Sequence, residues 1–228
     1  MGKAKKAIVV ASVIIMAFVL IVLWTSQSKA TDPLSEWGEL YGKSVKTEDG
    51  DIIISAKDFS ISQETFDNLV AQYQLTSNPE KAEYKAYSEL IITRSLYYKA
   101  IEEGFLASDD VVRASIEEDS ASIKEADNYS DFQKFISASG MTEEEYWTSM
   151  EETYRRTITL QNYCEHIQKK FVEEGKQADD IDQWREYCTQ CTQKAIENQN
   201  VELKHKNAWE FSRENFNYDN YWPHSPVQ

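Results

Sequence analysis

Cys188-Thr-Gln-Cys191 is the pair whose type and spacing most directly invite chemistry. A redox Cys-x-x-Cys places its first thiol at a helix N-terminus, where the dipole lowers its pKa. Here both cysteines fall about two turns inside a predicted helix, on one apolar face with Ile181, Trp184 and Ala195. Cys164 lies on the apolar stripe of the helix before it, with Leu160, Ile167 and Phe171. Three readings stand. The cysteines are buried structural thiols, or Cys164 is bridged to Cys188 or Cys191 as an oxidising compartment favours, or they serve metal or thiol catalysis. Cys164, His166 and the pair supply metal-binding atoms, but their spacing is not a zinc pattern.

Other catalytic signals are sparse. The three histidines are His166, His205 and His224, and no His-Glu-x-x-His, Gly-x-Ser-x-Gly or P-loop pattern occurs. Carboxylates are plentiful but sit among lysines on helical surfaces. The expectation is a non-enzyme without catalytic residues, metal or cofactor. A second kind of chemistry, apolar recognition, is better supplied. From Thr142 onward, Tyr146, Met150, Thr153, Thr157 and Leu160 form one helical stripe, and Trp147, Tyr154 and Ile158 form its neighbour. A helix apolar on two faces is either buried on both or lines an exposed groove. On the groove reading, Trp147, Tyr154 and Ile158 are the residues that meet a bound polypeptide.

The elements that must position these side chains are mostly helices. Seven glycines and four prolines argue against a turn-rich β fold. Ile52-Ile53-Ile54 predicts a short strand, and Ser62 caps a helix opened by Gln63-Glu64-Thr65-Phe66. A helix from about Glu80 to Glu103 carries Tyr87, Leu90, Ile91, Tyr98 and Ile101 on a stripe that Arg94 interrupts. It stops at Gly104, a residue that accepts the left-handed conformation. After Phe105-Leu106, Ser108 caps the next helix, with Asp109 and Asp110 against its positive end. A shorter helix runs from Ser130 to Ser139 and ends at Gly140. Thr142-Glu143-Glu144-Glu145 is a capping box that opens the longest helix, to about Glu174. After the polar break 176–180 comes the cysteine helix, then Val201-Glu202-Leu203 as a closing strand.

The order "helix, Ala-x-x-x-Gly, apolar pair, Ser-Asp-Asp-Val", followed by Gly-Met-Thr-Glu-Glu-Glu-Tyr, resembles the N-terminal chaperone domain of the SurA/PrsA family of extracytoplasmic folding factors. The resemblance spans about residues 52–203. Ile61-Ser62 and Phe66 match the family, while Lys57-Asp58 stand where its Asn-Gly turn falls. The aromatic cysteine helix and the Val-x-Leu strand resemble the segment that closes that domain. Many members carry a parvulin prolyl isomerase between the long helix and the closing one. Here that interval is a handful of polar residues, and no Gly-Gly pair occurs anywhere in the chain. The resemblance therefore implies a chaperone-like protein without isomerase activity, binding unfolded or secreted polypeptides.

The N-terminus bears on location. Met-Gly-Lys-Ala-Lys-Lys (1–6) precedes an uncharged run at 7–24 that spans roughly 27 Å as a helix, close to a hydrocarbon core. It reads as a single-pass anchor with its N-terminus inside. Ser28-Lys29-Ala30 offers the other reading, a signal peptide cleaved after Ala30 to release a secreted protein. Both put the body outside the cytoplasm. Three of the 24 basic residues precede residue 7 and no acid precedes Asp32, which leaves 21 basic against 39 acidic residues after the run, or −18. Such a body repels nucleic acid. The organisation expected is a cytoplasmic tip (1–6), a transmembrane helix (7–24), a linker with a short helix near Trp37 (25–50), and one domain resembling the SurA N-terminal fold (51–204). That domain is mostly α, with one to three short strands. An aromatic tail (205–228) follows, open to docking on its own domain or to binding a client groove or partner. A non-catalytic adaptor or structural subunit of an envelope complex is the alternative function.

Overall fold

Gly104, Gly140 and Gly175 adopt φ of 87°, 68° and 75°, and each stands just past the end of a helix. The described residues of the computed structural model are 33–45, 50–75, 78–176, 180–204 and 222. The expected anchor, the cleavage point at Ala30, His205, His224 and all tail aromatics except Trp222 lie outside them. Eight helices and a three-stranded antiparallel sheet make up the described chain. In order these are α1 (Pro33–Val45), β1 (Ile52–Ser55), β2 (Ser60–Ser62), α2 (Gln63–Gln74), α3 (Pro79–Glu102), α4 (Asp109–Glu125), α5 (Tyr129–Ser139), α6 (Glu143–Ser149), α7 (Glu151–Glu173), α8 (Ile181–Gln199) and β3 (Glu202–Leu203). Among the described residues no helix is long and apolar enough to cross a membrane.

The capping signals act unequally. At Thr142 both bonds of the capping box form: Thr142 Oγ1 accepts from Glu145 N at 3.2 Å, and Thr142 N donates to Glu145 Oε2 at 2.7 Å. Ser108 holds the N-cap position of α4 with extended backbone, but its hydroxyl makes no capping bond. Asp180 caps α8 by accepting from Gln183 N at 3.0 Å. The single long helix expected from Thr142 to Glu174 is instead two, α6 and α7. Its ladder tightens at Met150, whose N–H is shared between the carbonyls of Tyr146 and Trp147 at 3.1 and 3.2 Å. A shared bond of this kind is how a helix end over-winds locally.

The chain forms two units. The first comprises the described residues up to Gly50, Glu64–Glu83 and Ala107–Ile158. Its core gathers Ala107, Val112, Ile136, Tyr146, Met150, Tyr154 and Ile158. Within it α1 lies directly on α5. A Cβ on Gly38 would run into the carbonyl oxygen of Phe135, and one on Gly42 into that of Ser139. The small residues of Gly38-x-x-x-Gly42 thus let two helix backbones approach until there is no room for a methyl group.

The second unit comprises Asp51–Gln63, Tyr84–Leu106 and the described residues from Thr159 onward. Its sheet has the order β2-β1-β3, with Ile54 opposite Ile61 on one side and opposite Leu203 on the other. The β1–β2 hairpin turns through Lys57-Asp58 without glycine. Gln199, at the end of α8, holds that turn. Its carbonyl accepts from Lys57 N at 2.8 Å, its side-chain oxygen accepts from Asp58 N at 3.1 Å, and its amide donates to Asp58 Oδ2 at 2.9 Å. Asn200 then takes the left-handed conformation (φ 48°) and sends the chain into β3. The core of this unit is Ile92, Leu96 and Ala100 of α3, Tyr163, Ile167 and Phe171 of α7, Trp184, Cys188 and Ala195 of α8, and Trp222.

Candidate functional site

The aromatic face of α6 and α7 is built from the Thr142 box upward. The box fixes the first turn, so Tyr146 points into the first unit's core. The inward stripe continues at intervals of four through Met150, Tyr154 and Ile158. Thr153, which the sequence places on the stripe of Tyr146 and Met150, is exposed, and Thr157 is half-buried. The inward face thus follows a four-residue spacing from Tyr146 rather than the alternating four-and-three spacing of the expected stripe. Two of the three candidate contact residues are therefore enclosed: Tyr154 is 2% exposed and Ile158 8%. Trp147 is half-buried and rests on Phe132 and Tyr146, with ring centroids 5.9 and 5.1 Å away. The three do not form one open face.

Polar groups hold this cluster. Tyr154 donates its hydroxyl to Asp119 Oδ2 at 2.5 Å. Burial first, and this bond second, raise the Tyr154 pKa well above that of a free phenol. Burial likewise raises that of Tyr146. Tyr41 Oη shares a hydrogen bond with Ser149 Oγ at 2.9 Å, which ties α1 to the end of α6. Glu143 gathers Lys124 at 3.1 Å, the Tyr129 hydroxyl at 3.0 Å and the Trp147 indole N–H at 3.4 Å. Burial opposes its ionisation, but these donors outweigh burial and the Glu143 pKa falls. Arg155, to which no sequence signal pointed, donates to the Ala107 carbonyl at 3.1 Å and pairs with Asp109 at 2.8 Å, anchoring the start of α4.

The cysteines belong to the second unit. Cys188 is buried in its core, and Cys164 and Cys191 are half-buried against the same cluster. All three are thiols. Burial pushes the Cys164 thiol up to about 12 and also raises that of Cys191, against the pull of Lys194 and Lys170. A nucleophilic thiol needs the opposite shift. Among the described residues no group of three or more His, Cys, Asp and Glu side chains gathers as metal ligands would. His166 lies beside Phe105, ring centroids 4.8 Å apart, and 4.0 Å from Glu103. Trp222, the described residue of the tail, is seated in the core. It donates its indole N–H to Thr192 Oγ1 at 3.0 Å and meets Trp184 edge to face at 6.2 Å.

Among the described residues the exposed large apolar side chains, Val45, Ile52, Leu106, Val111, Val172 and Ile181, occur singly along the sequence. Compared with known proteins, the chain matches no protein-family model, no curated protein and no solved structure.

Proposed function

We propose that this chain is a membrane-tethered, extracytoplasmic chaperone-like protein similar to the SurA/PrsA chaperone domain. It holds unfolded or newly translocated polypeptides by apolar contacts and has no isomerase activity. The observation that carries the reading is the return of β3, after the long helices, to pair with β1 beside the β1–β2 hairpin. Only residues 174–180 separate α7 from α8, the point where the family inserts its isomerase. The tether rests on the basic tip and the uncharged run at 7–24. In the folded arrangement Trp147 offers a client part of its surface, whereas Tyr154 and Ile158 are reached only when the aromatic cluster opens.

That enclosure favours a second reading. A protein whose aromatic face is already filled suits one fixed partner, as a non-catalytic adaptor or structural subunit of an envelope complex. One experiment separates the two. The full chain in detergent micelles is added to a heat-unfolded test protein, and light scattering follows aggregation. Suppression at near-stoichiometric ratio, with no acceleration of X-Pro exchange in a peptide whose uncatalysed exchange takes tens of seconds, is the expected result. Absence of suppression, together with a stoichiometric partner that survives purification, gives the adaptor reading. Catalysed X-Pro exchange overturns both.

A further inference from the structure

The α7–α8 hairpin has a register that can be counted. Phe171 meets Trp184 and Tyr187 with ring centroids 5.2 and 5.3 Å away; Trp184 is the buried one of the two, and the count starts from the Phe171–Trp184 pair. Stepping outward from that pair by four, seven and eleven residues along each helix gives Ile167 with Cys188, Cys164 with Cys191, and Leu160 with Ala195. All eight side chains belong to, or pack against, one hydrophobic cluster. Four, seven and eleven are the spacings at which an α-helix returns to the same face. The three outer pairs therefore form successive layers of the seam begun by Phe171 and Trp184.

From this register we infer that Cys164 and Cys191, both thiols in the structure, become disulfide partners, bridging α7 to α8 when the chain folds under oxidising conditions. Packed helices stand about 8–10 Å apart axis to axis, with Cα atoms about 2.3 Å from each axis, so facing Cα atoms approach to about 3.4–5.4 Å, a range whose upper half a disulfide can span. A disulfide spans a Cα separation of about 4.4–6.8 Å. Cys188 is the poorer partner on two grounds. It sits one layer away from Cys164, opposite Ile167. Within α8 it is three residues from Cys191, where Cβ atoms stand about 5–6 Å apart against the roughly 3.8 Å a disulfide needs.

The step balances simply. Two S–H bonds break and one S–S bond forms. Two electrons and two protons pass to an external disulfide, which leaves as two thiols. The raised pKa values of Cys164 and Cys191 make native-state exchange slow, so the bond forms while the hairpin is assembling and is then protected from reduction. Its presence in the cell rests on the extracytoplasmic reading; the choice of partners does not.

The test refolds the full chain from denaturant, in detergent, with glutathione disulfide and glutathione. Remaining thiols are then alkylated under denaturing conditions, and unreduced peptides are mapped by mass. The expected result is one alkylated thiol, at Cys188, and a peptide pair linked through Cys164 and Cys191. Cys188→Ala should keep the link, and Cys164→Ala and Cys191→Ala should each lose it. Reducing the bridged protein should lower its thermal midpoint by roughly 5–10 °C, as expected for closing a loop of roughly 28 residues. Three alkylated thiols after refolding, or a link that includes Cys188, overturns the proposal. Because refolding involves no compartment, a bridge formed there but missing from protein taken from cells counts against the location and leaves the pairing standing.

Discussion

Tyr154 and Trp147 are seven residues apart, a spacing that predicts one shared face, yet they meet different surroundings. Tyr154 is enclosed and donates to a carboxylate, whereas Trp147 keeps part of its ring in solvent. Tyr154→Ala should cost about 3–5 kcal/mol, as large aromatic truncations in cores do. Tyr154→Phe keeps the ring and removes only the donor to Asp119, so about 1.5–3 kcal/mol is expected. Trp147→Ala should cost less than Tyr154→Ala, since it gives up less buried area. Chemical denaturation of the three variants checks the order. Should Trp147→Ala prove the most destabilising, the half-exposed placement of its ring is refuted. On the proposed function, Trp147→Ala is also the variant that should weaken client holding with the smaller stability loss.

At the scale of elements, the seam between α1 and α5 depends on two absent side chains. Gly42→Ala puts a methyl group where the Ser139 carbonyl oxygen stands, and backbone cannot step aside as a flexible side chain does. Overpacking of this kind costs about 1–3 kcal/mol. The expected outcome is that α1 separates from α5 and loses the Tyr41–Ser149 bond, so a protease cleaves within Pro33–Val45 faster than in the parent chain. Equal cleavage rates would show that the seam tolerates a methyl group. The segment 25–50 reads as a linker with a short helix around Trp37, and that helix is α1. Its docking was not legible, because Gly-x-x-x-Gly on a helix names a close approach without naming the partner. The helix boundaries were far more legible, since Gly104, Gly140, Thr142 and Asp180 act through their own neighbouring peptide groups.

For the whole molecule, pH is the broadest probe. Tyr146, Tyr154 and Tyr163 have pKa values raised above 10.0, and Cys164 is raised from 9.0 to about 12, in each case with burial as the largest cause. The folded state binds these protons more tightly than the unfolded chain. Their contribution to stability is therefore complete below about pH 9 and is lost as pH rises through the alkaline range toward 12. Denaturant midpoints of the reduced protein should hold steady from pH 7 to 8.5 and fall between pH 9.5 and 11. An unchanged midpoint at pH 11 would mean that these groups are not enclosed as described.

The sequence by itself determined the mostly helical class, most helix ends, the short strands at Ile52–Ile54 and near Val201–Leu203, and the placement of the cysteines on apolar stripes. These follow from local causes: caps, left-handed glycines and the 3.6-residue period, each acting within a turn or two of the chain. Tertiary structure alone decided which of two adjacent stripes faces inward, because both are apolar and the residues that bury one of them, Val112 and Ile136 among them, come from other segments. It alone set Gln199 against the Lys57-Asp58 turn, so that a hairpin forms there without the glycine that local chemistry would ask for. It also seated Trp222 beside Tyr163 and Trp184, and packed the three cysteines of two helices around one cluster. Those outcomes depend on contacts between segments far apart in sequence, where the identity of the partner is fixed only when the cores close.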